Sequence, residues 1–328
     1  MSLEFLKNKS ILITGGTGSF GQQFIRRLLA DSDARRIIIF SRDELKQSVM
    51  MTDIEDPQGK LRFFIGDVRD IDRLRSAFCG VDYVVHAAAL KQVPALEYNP
   101  FEAIKTNILG TQNVIQAAVD NNVQRLVLVS TDKAAGPANL YGATKLCAEK
   151  LVVSSSTAFN DRATRMSVVR YGNVLGSRGS LLQVIERQRA TGAITLTHSE
   201  MTRFWITLDA GVDLVLHALE HMHGGEMFIP KIPSMKVQEF IAIVAPECRI
   251  HEVGIRPGEK MHETLVTKEE ARNAKETDRH FVILPHGDER LRSVYENLPD
   301  VRKDFFYSSD NNPVWLNEQT LKELLASI

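Results

Sequence analysis

Three short stretches of this 328-residue chain carry side chains able to do chemistry. Tyr141-Gly-Ala-Thr-Lys145 sets a phenol and an amine at i and i+4, which share one face of a helix. An ammonium beside a phenol lowers its pKa from about 10, so the pair can supply a phenolate base near neutral pH. Gly15-Gly16-Thr17-Gly18-Ser19-Phe20-Gly21 has the spacing Gly-x-x-Gly-x-x-Gly. Such glycines permit a tight turn and a close approach of backbone to a pyrophosphate, whose charge sits at the next helix N-terminus. Between the two lies Ser130-Thr131-Asp132-Lys133, a run of two hydroxyls, a carboxylate and an amine. Taken alone, its Asp-Lys dipeptide reads as a surface ion pair.

These groups need elements to hold them. Ile11–Thr14, Ile37–Phe40, Arg62–Val68, Tyr83–Ala87, Leu126–Thr131 and Ser167–Tyr171 are short Val/Ile/Phe-rich runs of the kind that form buried strands. Helical periodicity fills Gly21–Leu29, Ile71–Phe78, Phe101–Asn121 and Tyr141–Ser155. This alternation predicts an α/β chain with a Rossmann-type, doubly wound parallel sheet and right-handed crossovers. After Val174 the alternation loosens, with helices expected at Leu181–Thr191, Ala210–His221 and Val237–Ala245. The expected division is a nucleotide-binding domain over 1–175 and a smaller mixed α/β substrate-binding domain over 176–328. One segment near 210–232, with a strand at Glu226–Pro230, is expected to return to the sheet edge. The tail from Lys268 is charged and weakly periodic.

The strand tips specify the nucleotide. NAD sites usually carry an acid at the second strand tip, about 20 residues past the glycines, for the ribose 2′-OH. Here the tip reads Ser41-Arg42-Asp43-Glu44-Leu45-Lys46, and a guanidinium there suits a 2′-phosphate. NADP is therefore expected over NAD, with Asp43 arguing the other way. Asp67 and Val68 follow the third strand, where a carboxylate can take an adenine amino group. Ala87 and Ala88 follow the fourth, where small residues leave room for a cofactor.

Composition bounds the rest. Forty Lys+Arg against 41 Asp+Glu give a net charge of −1, without the broad basic field that nucleic-acid or acidic-membrane binding requires. Cys79, Cys147 and Cys248 are far apart and odd in number, which argues against disulfides and for a reducing compartment. The apolar run Ser10–Thr14 is too short for a leader or a membrane span, so a cytoplasmic protein is expected. His217, His221 and His223 share a helix end with no acid or Cys beside them, and read as a solvated terminus. His86 reads as a satisfied core histidine, and Met50-Met51 and Phe63-Phe64 as core packing.

The glycine turn, the Ser130-Thr131 strand tip and Tyr141-x-x-x-Lys145 together resemble the extended short-chain dehydrogenase/reductase superfamily over about residues 10–260. Thr131-Asp132-Lys133 then resembles the inverting UDP-N-acetylglucosamine 4,6-dehydratases, where dTDP-glucose dehydratases carry Asp-Glu. Further similar stretches are Ser41–Gln47, Ala87–Val93, Arg170–Ser180, Met201–Leu208 and Ile255–Glu263. The resemblance implies that Thr131 holds the sugar hydroxyl, Tyr141 is the base at the 4-hydroxyl, Lys133 the base at C-5 and Asp132 the acid at the 6-hydroxyl. Lys133 would need to be neutral, hence of depressed pKa. It also implies a cofactor bed including Val129, Ser130 and Val174, the first step of pseudaminic acid synthesis for flagellin glycosylation, and a homo-oligomer, dimer-based or hexameric.

A UDP-sugar brings a pyrophosphate, and arginine forks clamp phosphates. Lys91, Asn173, Arg178 with Gly179 and Ser180, Arg203, Arg256 and Glu259 are the candidate substrate ligands. Two competing functions remain at this point. A UDP-sugar epimerase would share Tyr141 and Lys145 without needing Asp132-Lys133. A redox-sensing regulator would usually lose the Tyr-x-x-x-Lys pair, which is intact here.

Overall fold

A computed structural model describes residues 2–158 and 164–328. Strands β1 (Ser10–Thr14), β2 (Arg36–Ser41), β3 (Leu61–Ile65), β4 (Tyr83–His86), β5 (Arg125–Thr131) and β6 (Arg165–Tyr171) form where β-branched runs are unbroken. Past Tyr171 come β7 (Asn173–Val174), β8 (Ala193–Leu196), β9 (Thr202–Ile206), β10 (Met227–Pro230), β11 (Ser234–Lys236), β12 (Arg249–Glu252), β13 (Thr264–Val266), β14 (Ala274–Glu276), β15 (His280–Ile283) and β16 (Tyr307–Ser308). The main sheet has nine strands in the order β14-β15-β10-β6-β5-β4-β1-β2-β3. From β10 to β3 every pairing is parallel. Strand order reverses between β1 and β4, and ligands of doubly wound sheets bind in the crevice at such a switch point.

The helices Ser19–Asp31, Ile71–Ala77, Gly110–Asp120, Leu140–Ala158 and Leu208–His221 pack around this sheet. Its core includes Ile11, Leu12, Ile13, Ile37, Ile39, Val84 and Val85, all fully buried. Each such side chain stabilises the fold by about 1.5–3 kcal/mol. A second apolar cluster joins Leu175, Ile185, Ile194, Trp205, Phe240 and Ile241 to Leu316 and Leu321 of the tail. Around it lie the small sheets β11-β9-β7 and β12-β8. No helix among the described residues is long and apolar enough to cross a membrane.

The structure departs from the sequence reading in several elements. Met227–Pro230 does rejoin the sheet, but inside it: antiparallel β15 and β14 from the tail extend the sheet beyond β10. Strand β14 is the charged Ala-Lys-Glu and β15 has four residues, too short to show a period. The third strand stops at Ile65, and at the following Gly66 a Cβ would lie 2.4 Å from the Phe40 ring. Glu44–Asp53, where no helix was expected, is a helix that the Asp43 carboxylate caps through Lys46 N at 3.0 Å. Phe101–Asn121 is a composite in which a π turn at Ile104–Leu109 separates two α segments. Met50 is buried, yet Met51 is 54% exposed.

The π turn has a positioning role. Asn107 on it accepts from Leu90 N at 2.8 Å and donates to Leu90 O at 2.9 Å and Thr144 Oγ1 at 3.0 Å. It thereby ties the loop after β4 to the helix carrying Tyr141 and Lys145. His86 is satisfied by Thr14 at 2.7 Å and Thr111 at 3.0 Å, and burial brings it down to about 3, with Lys145 adding to the effect.

Candidate active site

A cleft of about 650 Å³ opens at the carboxyl ends of the parallel strands. One end is the glycine turn, whose geometry excludes side chains. Gly15 has φ +71°, and a Cβ there would sit 2.9 Å from Ala88 N and 3.0 Å from Ala87 C. Helix Ser19–Asp31 starts after Gly18 with no side-chain cap, so its first-turn N–H groups remain for an anion. Gly15, Thr17, Gly18, Ser19, Phe20, Gly21, Val68, Ala87, Ala88, Val129 and Ser130 all line the cleft.

The β2 tip distinguishes the nucleotide. Ser41 Oγ lies 2.9 Å from Thr17 Oγ1. The Arg42 guanidinium is 56% exposed and 3.8 Å from Asp67 Oδ2. Asp43 is spent: it caps its helix and pairs with Lys46 Nζ at 2.6 Å. Glu44 is exposed and lies outside the cleft lining, whereas Lys46 and Asp67 line it. Burial opposes ionisation of Asp67, but hydrogen bonds from Arg69, at 2.7 and 3.0 Å, hold it below the usual carboxylate range. Arg42 thus stands open at this tip, while Asp43, also in the lining, is engaged by Lys46.

The other end holds the reacting groups. Asn139 fixes the start of helix Leu140–Ala158 by accepting from Gly142 N at 2.9 Å and donating to Gly258 O at 2.8 Å. Lys145 is 3% exposed and donates to Val129 O at 2.8 Å. Burial brings it down to about 8, with Glu149 opposing. Burial likewise pushes Tyr141 up to about 12. The lysine charge that counteracts this belongs to Lys133. The sequence reading gave that part to Lys145, whose ammonium is turned to the β5 backbone.

Lys133 also differs from expectation. Its Nζ donates to Asp132 Oδ1 at 3.0 Å and to Asn173 Oδ1 at 3.4 Å, and lies 3.3 Å from Glu263 Oε1. Burial would lower its pKa, yet Asp132 and Glu263 together raise it above the ordinary lysine value. Asp132 is fully buried, accepts from Thr131 Oγ1 at 2.9 Å, and has no partner on Oδ2. Burial raises its pKa above the ordinary carboxylate value, Lys133 opposing and Glu263 adding to the rise. Glu263 was part of a similar stretch but had no assigned role. A lone Glu before Thr264-Leu265-Val266 carries no local signal of its destination.

The substrate candidates separate into two groups. Lys91, Asn173, Arg178, Gly179 and Ser180 line the cleft, as does the cofactor candidate Val174. Lys91 Nζ donates to Arg178 O at 3.0 Å, and Arg178 N to Ser19 Oγ at 3.0 Å, closing this loop over the glycine turn. Arg203 is outside the lining: its Nη1 donates to Thr202 O at 2.7 Å and Met261 O at 3.1 Å, and its Nη2 to Met201 Sδ at 2.9 Å. Glu259 lies behind it, 3.6 Å from Arg203 Nη2, and Arg256 stands on an exposed loop. Gln92, Thr106, Ser177 and Trp205 line the cleft without having been singled out. Thr106 Oγ1, Ser180 Oγ and Trp205 Nε1 are buried without hydrogen-bond partners.

Known proteins share this arrangement. Residues 11–285 match a family model described as polysaccharide biosynthesis protein. A UDP-N-acetylglucosamine 4,6-dehydratase (inverting) of Campylobacter jejuni is 47% identical over 326 residues, 97% of each chain. A UDP-glucose 4-epimerase of Rickettsia conorii is 40% identical, covering 98% of this chain and 96% of its own. The X-ray structure of Pen from Bacillus thuringiensis superposes with a TM-score of 0.90 at 38% identity, over 98% of both chains. The chain belongs to this polysaccharide biosynthesis family, on the fold of the extended short-chain dehydrogenases/reductases.

Proposed function

We propose that this chain is an NADP-dependent, inverting UDP-N-acetylglucosamine 4,6-dehydratase, a carbon–oxygen lyase. The observation that carries the reading is the buried Asp132 paired with Lys133, which lines the cleft together with Tyr141. The likeness to the Campylobacter jejuni dehydratase supports the same substrate. A nicotinamide dinucleotide held at the glycine turn would supply the hydride chemistry, acceptance at C-4 and return at C-6. Tyr141 takes the 4-hydroxyl proton, with Thr131 orienting that hydroxyl. The 4-ketone so formed acidifies the C-5 hydrogen, and Lys133 as the amine removes it. Asp132 as the carboxylic acid protonates the departing 6-oxygen, and water leaves. Reprotonation of C-5 on the opposite face inverts that centre.

An ion pair of Asp132 and Lys133 becomes this acid and base by moving one proton across their 3.0 Å hydrogen bond. The elimination therefore needs no proton from solvent. A raised Asp132 favours that transfer, and the raised Lys133 resists it. The open Arg42 and the occupied Asp43 support NADP. Lys91, Asn173, Arg178, Gly179 and Ser180 are the assigned substrate contacts. Exposed Phe101 and Leu109 on the composite helix, with exposed Tyr98 at the end of the helix before it, support a homo-oligomer built through this segment. In keeping with the resemblance of its motifs to the inverting dehydratases, the proposed reaction opens pseudaminic acid synthesis for flagellin glycosylation.

Proton NMR of the purified protein with UDP-N-acetylglucosamine in deuterated water tests the assignment. Expected are loss of the C-6 hydroxymethyl signals, a new methyl signal, and deuterium at an inverted C-5. The epimerase reading draws on the Rickettsia conorii relative and on Tyr141-Lys145. It predicts a 4-epimer with the hydroxymethyl group intact, and that product would overturn the dehydratase.

A further inference from the structure

We propose that Glu263 is a positioning residue that holds Lys133 for proton transfer at C-5, acting on elimination and not on oxidation at C-4. The inference rests on the dehydratase reading above. A lysine side chain has about 2 kcal/mol of rotamer entropy, and a base must be held within hydrogen-bond reach of its proton. Three acceptors hold Lys133 Nζ: Asp132 at 3.0 Å, Glu263 at 3.3 Å and Asn173 at 3.4 Å. Asp132 comes from the same short turn and changes protonation during the reaction. Glu263 comes from the segment entering β13 and is the carboxylate that can hold the amine throughout.

Nothing in the local fold requires a carboxylate at this position. The Glu263 backbone is secured by Ser309, which accepts from Glu263 N at 2.9 Å and donates through its own N to Glu263 O at 2.8 Å. The side chain is 3% exposed and its Oε2 has no hydrogen-bond partner, with Lys260 Nζ at 3.8 Å. A buried carboxylate costs several kcal/mol unless it is paired, and the pairing here faces the cleft. The charged and titratable groups facing Lys133 are Asp132, Glu263, Arg203, Tyr141, Lys91 and Lys260.

In the elimination the Lys133 lone pair takes the C-5 proton, and the C–H pair becomes the C-5/C-6 double bond. The C-6–oxygen bond breaks with its pair on oxygen, which takes the Asp132 proton and leaves as water. Lys133 ends as ammonium and Asp132 as carboxylate. Glu263 remains a carboxylate throughout: its charge stabilises the ammonium being formed and keeps the amine strongly basic.

Glu263→Gln tests this in the full-length, cofactor-loaded enzyme, with Glu263→Asp as the conservative variant. Single-turnover mixing with UDP-N-acetylglucosamine follows reduced nicotinamide by its near-ultraviolet absorbance and the methyl product by NMR. In the Gln variant oxidation at C-4 should proceed at the wild-type rate while methyl formation slows about tenfold or more, so reduced cofactor accumulates. The pH limb assigned to Lys133 should move about one unit lower, since a facing negative charge is gone. The Asp variant should recover much of both effects. Equal loss of oxidation and elimination with an unmoved pH limb would make Glu263 merely structural, and unchanged kinetics would also overturn the proposal. Wild-type enzyme that forms no methyl product would refute the dehydratase reading itself, a separate outcome.

Discussion

Arg170→Leu should be among the most damaging single changes outside the reacting groups. Arg170 is fully buried at β6 and makes five hydrogen bonds. Two go to Glu149 (3.0 and 2.6 Å), two to Glu270 (2.9 and 2.8 Å) and one to Leu265 O (2.9 Å). Glu149 in turn accepts from Ser130 Oγ at 2.6 Å, and it lies one turn past Lys145 on the same helix. The network thus joins the catalytic strand and helix to the short capped helix Lys268–Ala271 of the tail. Removing one partner of a buried ion pair costs about 3–5 kcal/mol, because the charge left behind is uncompensated. For 328 residues at about 2.1 cal/mol/K each, the unfolding entropy is about 0.7 kcal/mol/K. The expected fall in Tm is therefore about 4–7 °C.

The same substitution should leave a pH signature. Burial pushes the Glu270 carboxyl up, but Arg170 overrides it and holds the pKa below its ordinary value. In the wild type this contributes stability present above the unfolded value of about 4.3 and lost as pH falls through the folded value. In the variant a buried carboxyl without its cation folds more easily when protonated, so its cost grows as pH rises. The gap between the two proteins, followed by calorimetry and urea unfolding, should be widest near neutral pH and shrink towards pH about 4. Replacing Glu149 and Glu270 by Leu as well should recover most of the loss. A fall in Tm of under about 1 °C at neutral pH, or a gap that does not change with pH, would refute the reasoning.

Two further outcomes follow from the same geometry. Arg42→Ala should weaken NADP binding about tenfold or more, the worth of a charge-assisted hydrogen bond, and leave NAD within about twofold; equal losses in calorimetric titration would remove the 2′-phosphate assignment. Tyr98, Phe101 and Leu109 are 87%, 60% and 49% exposed, so sedimentation should show an oligomer that Phe101→Glu shifts towards monomer. A wild-type monomer at micromolar concentration would overturn that.

Much of the scaffold was legible because its signals are local. Runs such as Ile37-Ile38-Ile39 have no alternative to a buried strand, and the turn before Ala87-Ala88 tolerates only glycine at Gly15. Strands β14 and β15 were not legible, since Ala274-Lys275-Glu276 acquires its place only by pairing with Phe281 and its neighbours. Arg203 shows the same limit in the site. Its residue type suggests a phosphate clamp, yet two backbone carbonyls take its Nη1 and the Met201 sulfur its Nη2. Lys133 makes the point most fully. In the chain Asp132-Lys133 is one acid and one base, and a depressed lysine follows if a cation is the nearest neighbour. Folding instead brings Glu263 to 3.3 Å, so one ammonium faces two carboxylates that are almost wholly buried. The acid is then the group pushed towards its neutral form and the lysine the group held charged. Burial and Glu263 raise the acid, both carboxylates raise the lysine, and neither spacing nor periodicity connects Glu263 to the pair.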